Sequence, residues 1–253
     1  MQNKENDLAK KYIKDIKSAD VWSVFKILAD FVKGFDDLGD LGPTVTVFGS
    51  ARTKKNDKYY KQAQKLSSML ASKGFNIITG GGPGVMEAAN RGASKHSDIE
   101  SIGLNVDLPF EQTANPYTTK ELSFDYFFSR KVMLVKYSMA YVIFPGGYGT
   151  LDELFESLTL VQTKKVSGVK IFVIGVDFYQ PLLDFLENKL HYNDMIDIED
   201  LQMIHLTDDL DSVVKDIEGS LLNQIDKLKE VGLEGTKYYK SLFDFSIDKN
   251  IKR

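Results

Sequence analysis

A doubly wound α/β fold around a parallel sheet is predicted by three features of this 253-residue chain. Short β-rich runs alternate with helical patterns through its middle. Most of those runs are almost continuously apolar, as strands covered on both faces are. Three of them end in glycine, and a parallel sheet gathers such ends along one edge, where ligands sit.

Residues 1–40 read as a helical N-terminal extension, because "SVFKILADFVKGF" carries apolar residues at helical spacing before the turn "GDLGP". The strand candidates follow in order as "TVTVFGS" (44–50), "FNIITGGG" (75–82), "SIGLNVDL" (101–108), "LSFDYFF" (122–128), "AYVIFPGG" (140–147) and "VKIFVIGV" (169–176). Between them lie the helical stretches "KYYKQAQKLSSMLASKG", closed by Gly74 in a C-cap position, "GVMEAANRGASK", "RKVMLVKYS" and "GTLDELFESLTLVQTKK". An amphipathic helix is expected over about 207–232, where "LDSVVKDIEGSLLNQIDKLKEV" has the helical period. The expected organisation is therefore an extension over 1–40, one nucleotide-binding domain over 41–232, and a C-terminal tail over 233–253. That tail has aromatics without a clear period and is left open between a docked arm and partial disorder.

Composition narrows the function. With 43% hydrophobic residues the chain can bury a substantial core. A net charge of -4 and a pI near 5.5 argue against non-specific nucleic-acid binding, which needs a basic surface. There are no cysteines, which excludes disulfides, cysteine nucleophiles and thiolate metal sites. No segment approaches the ~18 to 20 apolar residues of a membrane span, and the charged start has no apolar core, so a soluble cytoplasmic protein is expected.

The glycines point to a phosphate. Gly49, Gly80 to Gly82, and Gly146 with Gly147 should converge on one crevice, where bare backbone lets N–H groups approach a ligand. After the third loop a helix begins, offering free N–H groups and partial positive charge. No Lys-Ser/Thr follows the glycines as in a P-loop, and neither "GSART" nor "GGGPG" has the Gly-x-Gly-x-x-Gly spacing of a dinucleotide site. Glycine-rich strand-to-helix turns also serve packing alone. Likewise Thr150-x-x-Glu153 can be a capping box, in which Glu153 only bonds its own helix start.

Three ordered motifs weigh toward the ligand reading while leaving the packing and capping readings open: "GGGPGVMEAANRGA" (80–93), "SRK" (129–131) and "PGGYGTLDE" (145–153). Together they resemble the LONELY GUY family of nucleotide 5'-monophosphate phosphoribohydrolases, long labelled lysine decarboxylases, and the first motif is closest to the longer bacterial members. The likeness runs over about residues 40–215. It implies a Rossmann-like fold, hydrolysis of the N-glycosidic bond of a nucleoside 5'-monophosphate to free base and ribose 5-phosphate, cytokinin-type nucleotides included, and dimers or larger homo-oligomers with sites near the subunit interface. No cofactor and no metal are expected. Decarboxylation would need pyridoxal phosphate on a lysine, and nothing singles one out.

By the same resemblance Arg130 and Glu153 are catalytic, while Gly146, Gly147, Gly149 and Thr150 cradle the phosphate. Lys131, Gly81, Gly82, Glu87 and Ser50 are further substrate-binding candidates, with Glu111 of "LPFEQ" on a weaker local match. Glu87 can equally serve its helix N-terminus by charge, and the aromatics of "FDYFFSR" are read as core before base-stacking groups. Asp152 departs from the family pattern, standing where a second glutamate is common. The three histidines, His96, His191 and His205, fall outside the motifs and are read as loop or surface residues. The residue types suit the chemistry: a carboxylate stabilises a ribosyl cation and orients water, and a guanidinium pairs with phosphate while staying charged. The competing class is a nucleotide-binding or sensing module, or a carrier of a phosphorylated cofactor, for which the carboxylate has no chemical use.

Overall fold

In the computed structural model, which describes residues 21–107 and 115–251, seven strands form one all-parallel sheet. The strands are β1 (Thr44–Phe48), β2 (Asn76–Thr79), β3 (Ser101–Val106), β4 (Lys120–Phe124), β5 (Ala140–Ile143), β6 (Lys170–Ile174) and β7 (Ile204–Thr207). Their order across the sheet is β4-β3-β2-β1-β5-β6-β7. The chain thus winds outward from β1 in one direction, returns to β5 on the other side of β1, and winds outward again. The doubly wound parallel fold is as expected, and β1 and β5 flank its topological switch point.

The helices are α1 (Val21–Leu38), α2 (Lys58–Ser72), α3 (Val85–Ala93), α4 (Phe127–Lys136), α5 (Tyr148–Gln162), α6 (Val176–Phe185), α7 (Ile198–Leu201), α8 (Leu210–Glu230) and α9 (Lys237–Asp248). A π-helical turn over Leu186–His191 extends α6. Strand side chains alternate between two cores, which is why the inner strands are nearly continuously apolar, while edge strands β4 and β7 are mixed. Val45, Val47, Ile77, Val142 and Phe172 pack against α2, α3, α8 and α9. Ile78, Ile102, Leu104, Tyr141, Ile143 and Val173 pack against α1, α4, α5 and α6.

Two elements differ from the sequence reading. Strand β7 was not anticipated: at four residues, with half-exposed polar positions, it is too short and too mixed to stand out. It carries His205, which is therefore not a loop residue but lies against Phe172, with ring centroids 5.5 Å apart. Residues 237–248 are helix α9, whose Leu242 enters the first core together with Ile251, while Phe245 packs edge-on against Phe75. Its start is capped by Thr236, which accepts from the Tyr239 N–H at 3.2 Å. No helix among the described residues is long and apolar enough to cross a membrane.

Candidate active site

The three glycine-ended strands deliver their loops to one place. Ser50, just past β1, donates its backbone N–H to the Pro145 carbonyl after β5 (3.0 Å) and accepts at its own carbonyl from Val85 N–H at the start of α3 (3.0 Å). Close packing explains the glycines here. Gly84 has φ +70°, and a Cβ on it would run into the Ser50 carbonyl and Ala51; a Cβ on Gly146 would meet the Thr150 hydroxyl. By contrast, a Cβ on Gly147 or Gly149 would meet nothing within 4 Å. Packing therefore does not account for those two glycines. Gly147 is the N-cap of α5 and brings no side chain to accept from the first N–H groups of that helix.

Arg130 and Glu153 meet beside these loops. Arg130 stands in the first turn of α4, and its Nη2 lies 3.6 Å from Glu153 Oε1 on α5. Both side chains are largely buried, at 15% and 7% exposure. The guanidinium also rests over the Phe127 ring at 5.3 Å. On the other side, its Nη1 is 3.6 Å from where a Gly80 Cβ would stand. Arg130 Nε and Glu153 Oε2 are buried without a hydrogen-bond partner among the described residues, and such groups are costly unless a ligand or water meets them. Glu153 sits six residues into α5, past the capping position, and its carboxylate makes no bond to its own helix start. The capping-box reading of Thr150 and Glu153 thus does not describe this helix.

Burial dominates the electrostatics. Glu153 is pushed up to about 7 by desolvation, which outweighs the opposing pull of Lys131 and Arg130. Arg130 is lowered from its usual value by the same desolvation, offset in part by Glu153 and Asp152. Lys131, next along α4, is held between Asp152 (2.7 Å) and Glu156 (3.0 Å) on α5, and those carboxylates outweigh its burial to raise it. The departure at Asp152 is therefore filled by an ion pair that ties α4 to α5. Against a carboxylate near neutrality, the always-charged arginine makes a site able to hold an anion and to exchange a proton beside it.

The other candidates sort by their partners. Gly81 has φ +72° and packs against the Asn105 side chain. Its carbonyl, with that of Gly82, is held by the Asn115 amide at 3.1 and 3.2 Å. Asn115 in turn bonds the fully buried Asn90, which accepts from Thr79 and donates to Ser101 and to the Ile102 carbonyl. This asparagine network, which braces the Gly80–Gly82 loop, was not anticipated, since a buried Asn has no periodic or motif signature of its own. Glu87 accepts from the Tyr60 hydroxyl (2.8 Å) and pairs with Lys55 (2.9 Å). Ser50 Oγ accepts from the Arg52 N–H at 3.0 Å. Of the "FDYFFSR" aromatics, Phe124 is core, but Phe127 and Phe128 are half exposed, correcting the core reading for those two. Glu111 lies outside the described residues. Among the described residues no three His, Asp or Glu side chains are grouped to hold a metal ion. A hollow of ≈ 700 Å³ opens by Thr44, Met139 and Val169, at the other ends of the strands; Lys131 and Glu156 line it, while Arg130 and Glu153 do not.

A family model described as "Possible lysine decarboxylase" matches residues 86–217, just over half the chain and inclusive of Arg130 and Glu153. The chain belongs to this family, the LONELY GUY family. Among curated relatives it is 29% identical over 153 residues to a probable cytokinin riboside 5'-monophosphate phosphoribohydrolase of Oryza sativa subsp. japonica, covering 58% of this chain and 60% of that one. It is 27% identical over 161 residues to a pyrimidine/purine nucleotide 5'-monophosphate nucleosidase of Escherichia coli (strain K12), covering 56% of this chain and 36% of that one. The matched region thus spans less than two thirds of either relative. Among solved structures, the molybdenum cofactor binding protein of Rippkaea orientalis superposes with a TM-score of 0.53 at 20% identity, covering 71% of this chain and 98% of that one. The molybdenum cofactor carrier protein of Chlamydomonas reinhardtii gives 0.51 at 20% identity, covering 72% of this chain and 99% of that one. At that identity the likeness places this LONELY GUY family member in a common fold and says nothing of its ligand.

Proposed function

We propose that the chain hydrolyses the N-glycosidic bond of nucleoside 5'-monophosphates, releasing free base and ribose 5-phosphate. The observation that carries this reading is the buried Arg130–Glu153 pair, 3.6 Å apart beside the glycine loops of the switch point. A phosphate is served by the uncapped start of α5, with Gly147 and Gly149 leaving it room and Arg130 supplying charge. The C–N bond breaks with its electron pair leaving on the base, which takes up a proton from solvent in exchange for the one Glu153 later releases, and positive charge develops on the ribose. Ionised Glu153 stabilises that charge and takes a proton from the attacking water, whose oxygen joins the sugar carbon. Lys131 holds α4 and α5 in register through Asp152 and Glu156. The activities named for the rice and Escherichia coli relatives support this reading, as does the burial of a carboxylate beside an anion site, which a plain phosphate binder would avoid.

The same helices supply an assembly surface. Phe127, Phe128 and Val132 of α4 are half exposed on the helix that turns Arg130 inward, so the active chain is a homo-oligomer, with a two-fold dimer as its unit. The deciding experiment offers the purified protein a panel of nucleoside mono-, di- and triphosphates and free nucleosides, following base release. Release from 5'-monophosphates with little from nucleosides is expected. Equal rates on both would remove the phosphate site, and tight nucleotide binding without base release would make the protein a binding module.

A further inference from the structure

Helix α1 lies about a hundred residues from Arg130 in sequence, yet a buried carboxylate on it reaches the start of the helix that carries Arg130. Asp30 is 6% exposed. Its oxygens accept the backbone N–H of Asp125 (3.1 and 3.2 Å), the N–H of Tyr126 (3.1 Å) and the Ser129 hydroxyl (2.5 Å). Those groups form the entry to α4. The N-cap residue of α4, Tyr126, makes no side-chain cap bond, so a carboxylate borrowed from another helix provides the acceptor and the negative charge that a helix start favours. Ser129 directly precedes Arg130, whose own N–H bonds the Tyr126 carbonyl at 3.3 Å. Any unwinding at Tyr126 therefore moves the guanidinium.

We propose that Asp30 is a positioning residue for Arg130: by fastening the first turn of α4 it keeps the guanidinium in register with Glu153. This gives the N-terminal helix one residue, Asp30, that supports the site. The turnover arm of its test rests on the nucleosidase reading, but the titration arm does not. A second anchor of α1 separates positioning from simple docking: Lys33 Nζ donates to the Ser123 carbonyl at 2.6 Å and lies over the Phe124 ring at 5.8 Å, both on β4.

The experiment compares Asp30→Ala, Asp30→Asn and Lys33→Met in the full chain, well below their melting temperatures. It measures kcat and KM on a nucleoside monophosphate and the Glu153 carboxyl midpoint by carbon-detected NMR. The charged groups reporting on that carboxyl are Arg130 and Lys131 from α4 and Asp152 and Glu156 from α5. In Asp30→Ala, kcat/KM falls about tenfold or more, because small misplacements of a catalytic group are expensive. Its Glu153 midpoint rises by about half a unit or more as the guanidinium withdraws. Asp30→Asn, which keeps one acceptor but turns an N–H donor toward donors, falls between Asp30→Ala and wild type on both measures. Lys33→Met lowers the melting temperature and leaves both measures at wild type. A wild-type midpoint in folded Asp30→Ala, or equal losses from Lys33→Met, would overturn the proposal. If Asp30→Ala does not fold, a wild-type rate and midpoint in Asp30→Asn overturns it instead. A wild-type protein that releases no base defeats the nucleosidase reading alone, because the Glu153 midpoints still decide the role of Asp30.

Discussion

In the proposed reaction Glu153 concentrates the chemistry in one carboxyl, and burial in the fold keeps that carboxyl from ionising easily. Its elevation to about 7 has two consequences of opposite sign. The proposed mechanism uses the ionised carboxylate, so kcat/KM should climb with pH and level off above a midpoint of about 7, which a pH–rate profile checks. For stability, the folded chain retains a proton between the ordinary 4.5 and about 7 that the unfolded chain has already released. Stability therefore falls as pH rises through that window, by about 3 kcal/mol once ionisation is complete. Glu153→Gln mimics the protonated form and removes that penalty. It should melt higher than wild type at pH near 8 and come level with it below about pH 4, while turnover drops by about 100-fold. Nucleotide affinity should hold or tighten, since the repelling charge is gone. Arg130→Ala should lose affinity as well as rate. A fully active Glu153→Gln protein would defeat the mechanism. The pairing of these residues was legible as a motif, because residue type and spacing survive in sequence. Their desolvation was not, because it depends on Phe127 and on neighbouring loops that no local pattern records.

At the level of loops and helices, the glycines divide into those the packing demands and those it does not. Gly84 carries positive φ and abuts the Ser50 backbone, so Gly84→Ala should cost about 3 kcal/mol and separate the β1 loop from the β2 loop. Gly147 has φ −91° at the α5 N-cap and open space around its Cα. Alanine fits there, at a cost under about 1 kcal/mol. Gly147→Ala should nonetheless weaken nucleotide binding several-fold, since the added methyl stands where the phosphate approaches the helix N-terminus. Thermal melts paired with nucleotide titrations separate the two cases, and a variant with both unchanged would detach Gly147 from the site. Convergence of the three glycine loops was readable because a parallel sheet leaves them no other edge. The bracing of those loops was not: Asn115, Asn90 and Asp30 act across long sequence separations, through hydrogen bonds that leave no periodicity.

For the whole molecule, the apolar surface raises the question of assembly. Helix α1 presents Val21, Trp22, Val24, Phe25, Leu28 and Val32 outward, and its Phe31 contacts the Phe128 ring of α4 at 6.5 Å, joining the two exposed faces. A surface of that extent on a lone chain is unfavourable in water and marks an interaction site. The alternation of strands and helices made the doubly wound core legible, because burial on both faces writes itself into nearly every strand. What covers α1 was not legible, since an amphipathic helix has the same period whether its apolar side meets its own core or a second chain. The proposed dimer supplies a direct readout, because Trp22 is the sole tryptophan and is 72% exposed in the single chain. Should two copies meet across α1 and α4, Trp22 emission will be blue-shifted at micromolar concentration and move to the red on dilution, in step with the fall in mass seen by light scattering. Val132→Asp should shift that transition to higher concentration by at least tenfold, the effect of about 1.4 kcal/mol from a charge buried in an apolar contact. Turnover per chain should decline along the same curve, because α4 carries Arg130 on its inner side. A monomer at all concentrations with full activity and invariant Trp22 emission would refute the two-fold assembly and leave the α1 face to a different partner.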